Sequence, residues 1–294
     1  MARLAFLGTP DMAVPPLRAL VAAGHDIAIC ITRPDRRRGR GGAVTPSPIK
    51  AAARELGIPV SHAMEDVAGA GVELAVVVAY GRLIPTALLD QVPMVNLHFS
   101  LLPRWRGAAP VERAILAGDD ETGVCVMKVE AGLDTGPVYA RRVVPLGDDL
   151  DLGALRQELV AAGSELVVAT LAGGVAGLPT PAPQEGEPTI AAKLTAEDLV
   201  LHWDDDSIQL HRVVRLGRAW TTFRGRRLGV LKATPDTASG MVAGPPGTLV
   251  GAAVATGRGT LHLQVVQPES RAPMAAADWA RGVRLSVGER LGSE

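Results

Sequence analysis

Hydrophobic residues in the first part of the chain alternate between short continuous runs and longer segments with helical spacing. The short runs predict strands at residues 3–7, 26–32, 74–79 and 94–99. The Val-rich run at 74–79 is typical of a strand that is buried on both faces. Residues 12–23 and 48–56 predict helices, and a glycine follows each of them. This β-α-β-α order predicts an α/β fold with a mostly parallel, Rossmann-like sheet covered by helices.

The later part of the chain changes in character after a proline-rich segment. Before that segment, the pattern predicts helices at 111–117 and 152–171 and strands at 123–129 and 137–144. Residues 178–188 are polar, rich in proline and without periodicity, as in an interdomain linker. A helix at 207–216 and short strands at 227–233, 247–256 and 260–266 follow. We therefore predict an N-terminal domain (1–178), a linker (179–192) and a smaller β-rich domain (193–294).

Composition narrows the setting in which the protein works. The 294 residues contain two cysteines, Cys30 and Cys125, whose spacing fits neither a zinc ribbon nor a disulfide framework. The apolar start is short for a signal peptide, and no charge-free apolar stretch approaches the length of a membrane span. We expect a cytoplasmic protein that does not contact a membrane.

Charge separates two segments from the rest of the chain. Residues 190–294 carry 13 basic and 10 acidic side chains, although the whole chain has a net charge of −1. Residues 212–232 contain seven basic and no acidic side chains, and residues 33–42 contain five arginines and one aspartate. Residues 212–232 also include Trp220 and Phe223. Basic segments, particularly those with aromatic residues, are found in nucleic-acid interfaces, and they are also found on ordinary solvated surfaces.

Several common catalytic patterns are missing from the sequence. It has neither the glycine fingerprint of dinucleotide binding nor a P-loop. The H-E-x-x-H zinc motif and the G-x-S-x-G nucleophile elbow are also missing. We expect no metal, and the usual hydrolase and kinase mechanisms lose their sequence support.

One polar pattern remains at the end of a predicted strand. The period of two places Asn96 and His98 on the same face, where open α/β sheets bind ligands. A carboxamide and an imidazole can stabilise a developing oxyanion and move a proton. Asp134, in the glycine-flanked turn 132–136, could orient that imidazole. Each feature also has a purely structural interpretation, as a satisfied core histidine or as an Asx turn.

Three short blocks resemble the signature of folate-dependent formyltransferases, which move a formyl group from 10-formyltetrahydrofolate to an amine. These blocks are Asn96-Leu-His98, Ser100-Leu-Leu-Pro103 and Gly132-Leu-Asp134-Thr-Gly136. Further segments are similar to the family members that formylate methionine carried by initiator tRNA: Gly8–Asp11, Pro34–Gly41, Pro46–Lys50, Arg104–Pro110, Gln267–Glu269 and Ala276–Trp279. The resemblance runs from about residue 4 to residue 291 and covers both predicted domains.

The resemblance implies a role for particular residues. Asn96, His98 and Asp134 would be catalytic, and Ser100, Leu101, Leu102 and Pro103 would lie in the folate-binding segment. The tRNA would contact Arg36, Arg37, Arg38, Arg40 and Lys193. The C-terminal domain would be a small OB-like β-barrel that holds tRNA. The expected partners are 10-formyltetrahydrofolate and methionyl-initiator-tRNA, and the expected state is a monomer.

Other functions stay open at this point. A formyltransferase that acts on a small amine, or a formyl-folate hydrolase, would share Asn96, His98 and Asp134 without needing the arginine-rich loop. A non-catalytic RNA-binding protein would need the basic segments alone, and the presence of all three polar residues disfavours it.

Overall fold

The computed structural model describes residues 1–37, 44–237 and 242–292, which group into two compact units. The first unit comprises Met1–Val111, Glu121–Pro145 and Arg156–Ala192. The second comprises Glu112–Asp120, Leu146–Leu155 and Lys193–Glu294.

A seven-stranded sheet forms the centre of the first unit. The strands up to residue 191 are β1 (Arg3–Gly8), β2 (Asp26–Ile31), β3 (Arg36–Arg37), β4 (Val44–Thr45), β5 (Val60–Ser61), β6 (Leu74–Val78), β7 (Met94–His98), β8 (Arg106–Gly107), β9 (Glu121–Lys128), β10 (Val138–Pro145) and β11 (Ile190–Ala191). The order across the sheet is β10-β9-β7-β6-β1-β2-β5. The pairs from β7 to β5 are parallel, whereas β9 is antiparallel to both β7 and β10. The loop between β9 and β10 is too short for a parallel crossover, which explains the antiparallel pair.

The helices in this part of the chain include four that the hydrophobic pattern predicts and two short ones that it does not. The helices are α1 (Val14–Ala22), α2 (Pro48–Glu55), α3 (Asp66–Gly69), α4 (Thr86–Leu89), α5 (Pro110–Ala117) and α6 (Leu152–Thr170). All five residues of β6 are buried, in agreement with a strand covered on both faces. Helix α2 begins after Ser47, whose hydroxyl oxygen accepts a hydrogen bond from the Lys50 amide.

The second unit contains an antiparallel sheet with two helices. Its strands are β12 (Ala219–Phe223), β13 (Arg226–Asp236), β14 (Leu249–Val250), β15 (Ala253–Ala255), β16 (Thr260–Pro268) and β17 (Met274–Ala275). Helices α7 (Ser207–Arg215) and α8 (Ala276–Val283) contribute to its core. Trp203 and Trp279 are buried in that core, where Trp279 packs edge-on against Phe223. The predicted fold class, a mostly parallel α/β sheet followed by a smaller β domain, is confirmed.

Candidate active site

Asn96, His98 and Asp134 lie together at one edge of the sheet. Asn96 Nδ2 is 3.4 Å from Asp134 Oδ1, and His98 Nδ1 is 3.7 Å from Asp134 Oδ2. The side chains of His98 and Asp134 are 6% and 13% exposed, so water screens their charges weakly. The structure therefore brings the three predicted residues into one cluster, although they come from distant parts of the sequence.

Strand β7 places two of these residues. Asn96 pairs with Val77 of β6 and with Met127 of β9, and His98 pairs with Cys125 of β9. Because side chains alternate along a strand, Asn96 and His98 lie on the same face, at the carboxyl end of β7. In open α/β sheets, this end of the parallel strands is where ligands bind.

The loop between β9 and β10 places Asp134. Its backbone has a positive φ of 51°, a conformation that aspartate tolerates better than most residues. A Cβ at Gly136 would lie 2.0 Å from the Lys128 carbonyl oxygen, so only glycine fits where the loop returns to β9. The amide of Gly107 donates to Asp134 Oδ2 at 2.8 Å. The carboxylate is therefore held by backbone geometry as well as by its side-chain neighbours.

A second loop holds the other nitrogen of His98. The Nε2 atom is 2.9 Å from the Trp105 carbonyl oxygen, which can only accept, so Nε2 carries the hydrogen of this bond. Trp105 also has a positive φ of 62°, and the Arg104 guanidinium lies 4.4 Å from its ring centroid. Each ring nitrogen of His98 thus faces an acceptor, a carboxylate on one side and a carbonyl on the other.

The predicted folate-binding segment forms the turn between β7 and Trp105. The Ser100 hydroxyl donates to the Arg104 carbonyl at 2.6 Å, and Leu102 is buried against Cys125, Met127 and Val138. These two side chains therefore stabilise the turn itself. Leu101 and Pro103 are partly exposed.

Cys125 is the nucleophile candidate nearest in the sheet to His98, and it is poorly suited to attack. Burial raises the pKa of the Cys125 thiol, so it stays protonated at neutral pH. Cys125 therefore does not supply a covalent nucleophile. The three polar side chains of the cluster can still orient and polarise an acyl group.

Sequence reasoning missed the residues that support this cluster. Arg106 Nη2 donates to Gln184 Oε1 at 2.7 Å, and Gln184 Nε2 donates to the Asp134 carbonyl at 2.8 Å. Thr189 Oγ1 accepts a hydrogen bond of 2.8 Å from the Trp105 amide. Arg106 lies in a segment that carried the resemblance, but no periodicity or motif marks Gln184 and Thr189.

The candidate tRNA residues are placed in separate segments. Arg36 and Arg37 form β3, which pairs with β4, while Arg38 and Arg40 lie outside the described residues. Lys50 Nζ lies 2.6 Å from Asp35 Oδ2 beside this ribbon, and this hydrogen bond lowers the pKa of Asp35. Lys193 is exposed in the second unit.

The basic stretch 212–232 contains buried, paired and exposed arginines. Arg215 is only 6% exposed and donates to the Leu150 and Gly147 carbonyls, so it is a structural residue. Arg224 is exposed but paired with Glu289. Arg218, Arg226 and Arg227 are also exposed, and the Arg227 guanidinium lies 4.5 Å from the centroid of the Trp220 ring. Only part of the stretch therefore presents positive charge to solvent.

Residues 1–37, 44–237 and 242–292 contain neither a grouped set of metal ligands nor a membrane-spanning helix. In these ranges no group of three or more His, Cys, Asp or Glu side chains is arranged to bind a metal ion. None of the helices in these ranges is long and apolar enough to cross a membrane.

The fold and the cluster define a class: a two-part α/β protein whose polar groups suit transfer of an acyl group. The sequence model described as formyl transferase matches residues 2–171, and the one described as formyl transferase, C-terminal domain, matches residues 193–284. The chain belongs to the formyl transferase family, which confirms the resemblance of its motifs.

A close relative in sequence agrees with this assignment, and solved structures share the fold. The methionyl-tRNA formyltransferase of Roseobacter denitrificans is 43% identical over 302 residues, which cover 97% of each chain. HypX from Aquifex aeolicus in complex with tetrahydrofolic acid matches with a TM-score of 0.65 at 19% identity. That match covers 98% of this chain, which spans about half the length (48%) of HypX. The methionyl-tRNA formyltransferase from Clostridium thermocellum matches with a TM-score of 0.56 at 17% identity and covers 80% of this chain and 93% of its own. These two structures show a shared fold.

Proposed function

We propose that the protein transfers the formyl group of 10-formyltetrahydrofolate to the free α-amine of methionyl-initiator-tRNA. The observation that carries the proposal is the cluster of Asn96, His98 and Asp134 at the carboxyl end of β7. The substrates are supported by the family and by a relative, named methionyl-tRNA formyltransferase, that is 43% identical over nearly the whole chain.

The proposed reaction is a direct transfer in which the amine nitrogen attacks the formyl carbon. The new N–C bond forms as the carbonyl oxygen becomes an oxyanion, and the bond from the formyl carbon to N10 of folate then breaks. The amine loses one proton as N10 gains one, so tetrahydrofolate leaves as a neutral amine. The buried Cys125 thiol, whose pKa is raised, takes no part as a nucleophile in this path.

Each residue of the cluster has a distinct part in this proposal. An amide NH₂ has two hydrogens, so Asn96 can hydrogen-bond Asp134 and still donate to the oxyanion. In its charged form His98 has a hydrogen on each nitrogen: Nε2 donates to the Trp105 carbonyl, whereas Nδ1 is 3.7 Å from Asp134 Oδ2, so its hydrogen is available for proton transfer. The positive charge of the ring would also stabilise the oxyanion. Asp134 orients the ring and balances its charge. The partly exposed Leu101 and Pro103 would contact the folate beside this cluster.

Positive charge would hold the tRNA. The proposed contacts are Arg36, Arg37, Arg38, Arg40 and Lys193. If they contact phosphates, tRNA affinity falls steeply as salt rises, because each contact releases condensed counterions. Replacing the four arginines together with alanine should flatten this salt dependence. An unchanged slope would contradict a role for this segment.

One assay tests the central proposal. Purified protein receives 10-formyltetrahydrofolate with methionyl-initiator-tRNA, and tetrahydrofolate release and formylmethionine are measured. Uncharged initiator tRNA and a charged elongator tRNA are the controls. Release that requires methionyl-initiator-tRNA supports the proposal, whereas release in water alone would indicate a hydrolase. Binding of tRNA without turnover would indicate an RNA-binding protein, and turnover with a small amine would indicate a different acceptor.

We also propose that the protein acts as a monomer in the cytoplasm, where translation begins. Sedimentation equilibrium at assay concentrations should give the 30.6 kDa mass of one chain, and a dimer mass would contradict the first part.

A further inference from the structure

The segment that resembles a linker in sequence is hydrogen-bonded to both loops of the active site. Ala182 exchanges two backbone hydrogen bonds with Val138, just after the Asp134 loop. Strand β11 pairs with β8, directly after Trp105. Residues 182–191 therefore form a brace that joins the Asp134 loop to the Trp105 loop. This brace lies between the two ranges that the family models match, which end at residue 171 and begin at residue 193.

Gln184 makes the principal side-chain contacts of the brace. Its Nε2 lies 2.8 Å from the carbonyl oxygen of Asp134 and 2.8 Å from that of Gly136. Its Oε1 accepts from Nε and Nη2 of Arg106, at 3.0 and 2.7 Å. Carbonyls only accept and a guanidinium only donates, so these partners fix the orientation of the amide. Both amide hydrogens thus hold the loop that presents the carboxylate, one at Asp134 and one at Gly136.

The other end of the brace contacts Trp105, the residue whose carbonyl is hydrogen-bonded to His98. Thr189 Oγ1 accepts from the Trp105 amide at 2.8 Å, and the Trp105 carbonyl receives the hydrogen bond from His98 Nε2. The adjacent Arg106 amide donates to the Thr189 carbonyl at 2.9 Å. Hydrogen bonds therefore connect the brace to both partners of the imidazole, Asp134 and Trp105.

We infer that Gln184 is a positioning residue for the formyl transfer, acting through Asp134, and that Arg106 fixes its amide. This inference rests on the proposed function for its kinetic readout. Gln184 contacts the backbone of Asp134 and Gly136 and not the reacting atoms, so it sets where the carboxylate lies relative to His98. A displacement of about 1 Å in such a group can lower a rate by about 10²-fold.

The test is a substitution that changes the donors and little else. Gln184→Glu keeps the length of the side chain and an acceptor for Arg106, but it places a carboxylate oxygen against two carbonyl oxygens. Gln91→Glu is the matched control, because Gln91 is exposed and its Nε2 donates to a single carbonyl, that of Ala87. Gln184→Met, which lacks both donor and acceptor, replaces Gln184→Glu if the latter does not fold. Circular dichroism and melting temperature establish that each variant is folded.

We expect Gln184→Glu to lower kcat roughly 10- to 100-fold while the KM for both substrates changes by less than about threefold. Gln91→Glu should match the wild type. When Gln184→Glu is added to the Asp134→Asn variant, kcat should fall by less than a further factor of about three. The effects of two substitutions are not additive when the residues act as a unit. Full additivity, or a change confined to KM, would overturn the inference.

A second readout needs no substrate. The imidazole ¹⁵N resonances of His98 in the free protein should move in Gln184→Glu and stay in place in Gln91→Glu. If the wild type forms no formylmethionyl-tRNA but these resonances respond, the proposed function fails and the positioning of Asp134 stands. If the resonances do not respond, the positioning inference fails whatever the activity.

Discussion

The cluster at the end of β7 and the arginine hairpin, defined here as β12 and β13 with Arg226 and Arg227, use polar residues in opposite ways. The cluster contains three side chains, largely removed from water and held by hydrogen bonds from two loops. The arginine hairpin presents exposed cations on an apolar sheet. We therefore expect the cluster to act through geometry over a few ångströms, whereas we expect the arginine hairpin to attract tRNA phosphates through positive charge that salt screens.

The largest expected effect is at His98. His98→Ala should lower kcat by roughly 10²- to 10⁴-fold, the usual range for a group that moves a proton in the transition state. The loss should be the same at low and high salt, because the ring acts at hydrogen-bond distance. Tetrahydrofolate release under saturating substrates measures it. His202→Ala, at an exposed histidine of the second unit, is the control. Near-full turnover by folded His98→Ala would contradict the proposed mechanism.

Asn96 should have the next largest effect. Asn96→Ala removes a donor to the oxyanion and should lower kcat by about 10²- to 10³-fold, with little change in tRNA affinity. The isosteric Asn96→Asp should be at least as slow, because it replaces the donor with negative charge. The same release assay, combined with filter binding of tRNA, separates the two quantities. Equal losses in kcat and in tRNA affinity would show that the cluster and the tRNA interface are not distinct.

Substitutions in the arginine hairpin should change the salt dependence of tRNA affinity and leave turnover unchanged. Replacing Arg226 and Arg227 together with alanine should reduce the slope of log affinity against log salt by about two, one for each phosphate contact. Turnover at saturating methionyl-tRNA should stay near the wild-type value. Arg18→Ala, an exposed arginine of the first unit that pairs with Glu55, is the control. A fall in kcat with an unchanged salt slope would contradict a role for the hairpin in binding tRNA phosphates.

The smallest effect concerns a paired charge in the second unit. Arg113 donates to Asp198 at 2.6 Å, and this hydrogen bond lowers the pKa of the carboxyl. A lowered folded-state pKa adds stability above the unfolded value of about 4, and that stability is lost as pH falls through the folded value. Asp198→Asn should therefore cost about 1–2 kcal/mol of unfolding free energy at pH 7 and progressively less below about pH 4.

Urea unfolding at several pH values measures the Asp198 effect. Asp278→Asn, at an exposed carboxylate that pairs within α8, should change stability little at any pH. A loss for Asp198→Asn that does not depend on pH would show that packing, and not charge, is responsible.

The strands were predictable because their signal is local. Alternation along β7 places Asn96 and His98 on one face without any tertiary information, and the Val-rich β6 follows from burial alone. Asn96 is also the only asparagine in the chain, a compositional signal that points to the same residue. The meeting of Asp134 with His98 required long-range pairing of β7 with β9, so from sequence it came through the family resemblance.

Other features lay beyond the sequence for identifiable reasons. Gln184 acts through four hydrogen bonds in a polar segment without periodicity, so nothing local marks it. The number of basic residues in 212–232 does not distinguish the buried Arg215 from the exposed arginines, because it takes no account of position on the helix. The spacing of Arg215 from Ser207, Leu210, His211 and Val214 follows the buried face of α7, and this pattern could have revealed its burial.

The brace also determines where this protein can be recombined with others. A hybrid enzyme that joins residues 1–192 to a foreign C-terminal domain keeps the brace, whereas a junction directly after α6 would delete Gln184 and Thr189. Such a shortened chain would keep every strand of the main sheet and still lose the hydrogen bonds that join the Asp134 loop to the Trp105 loop. Domain exchange here is therefore limited by a few side chains in the connecting chain rather than by the boundary of the core.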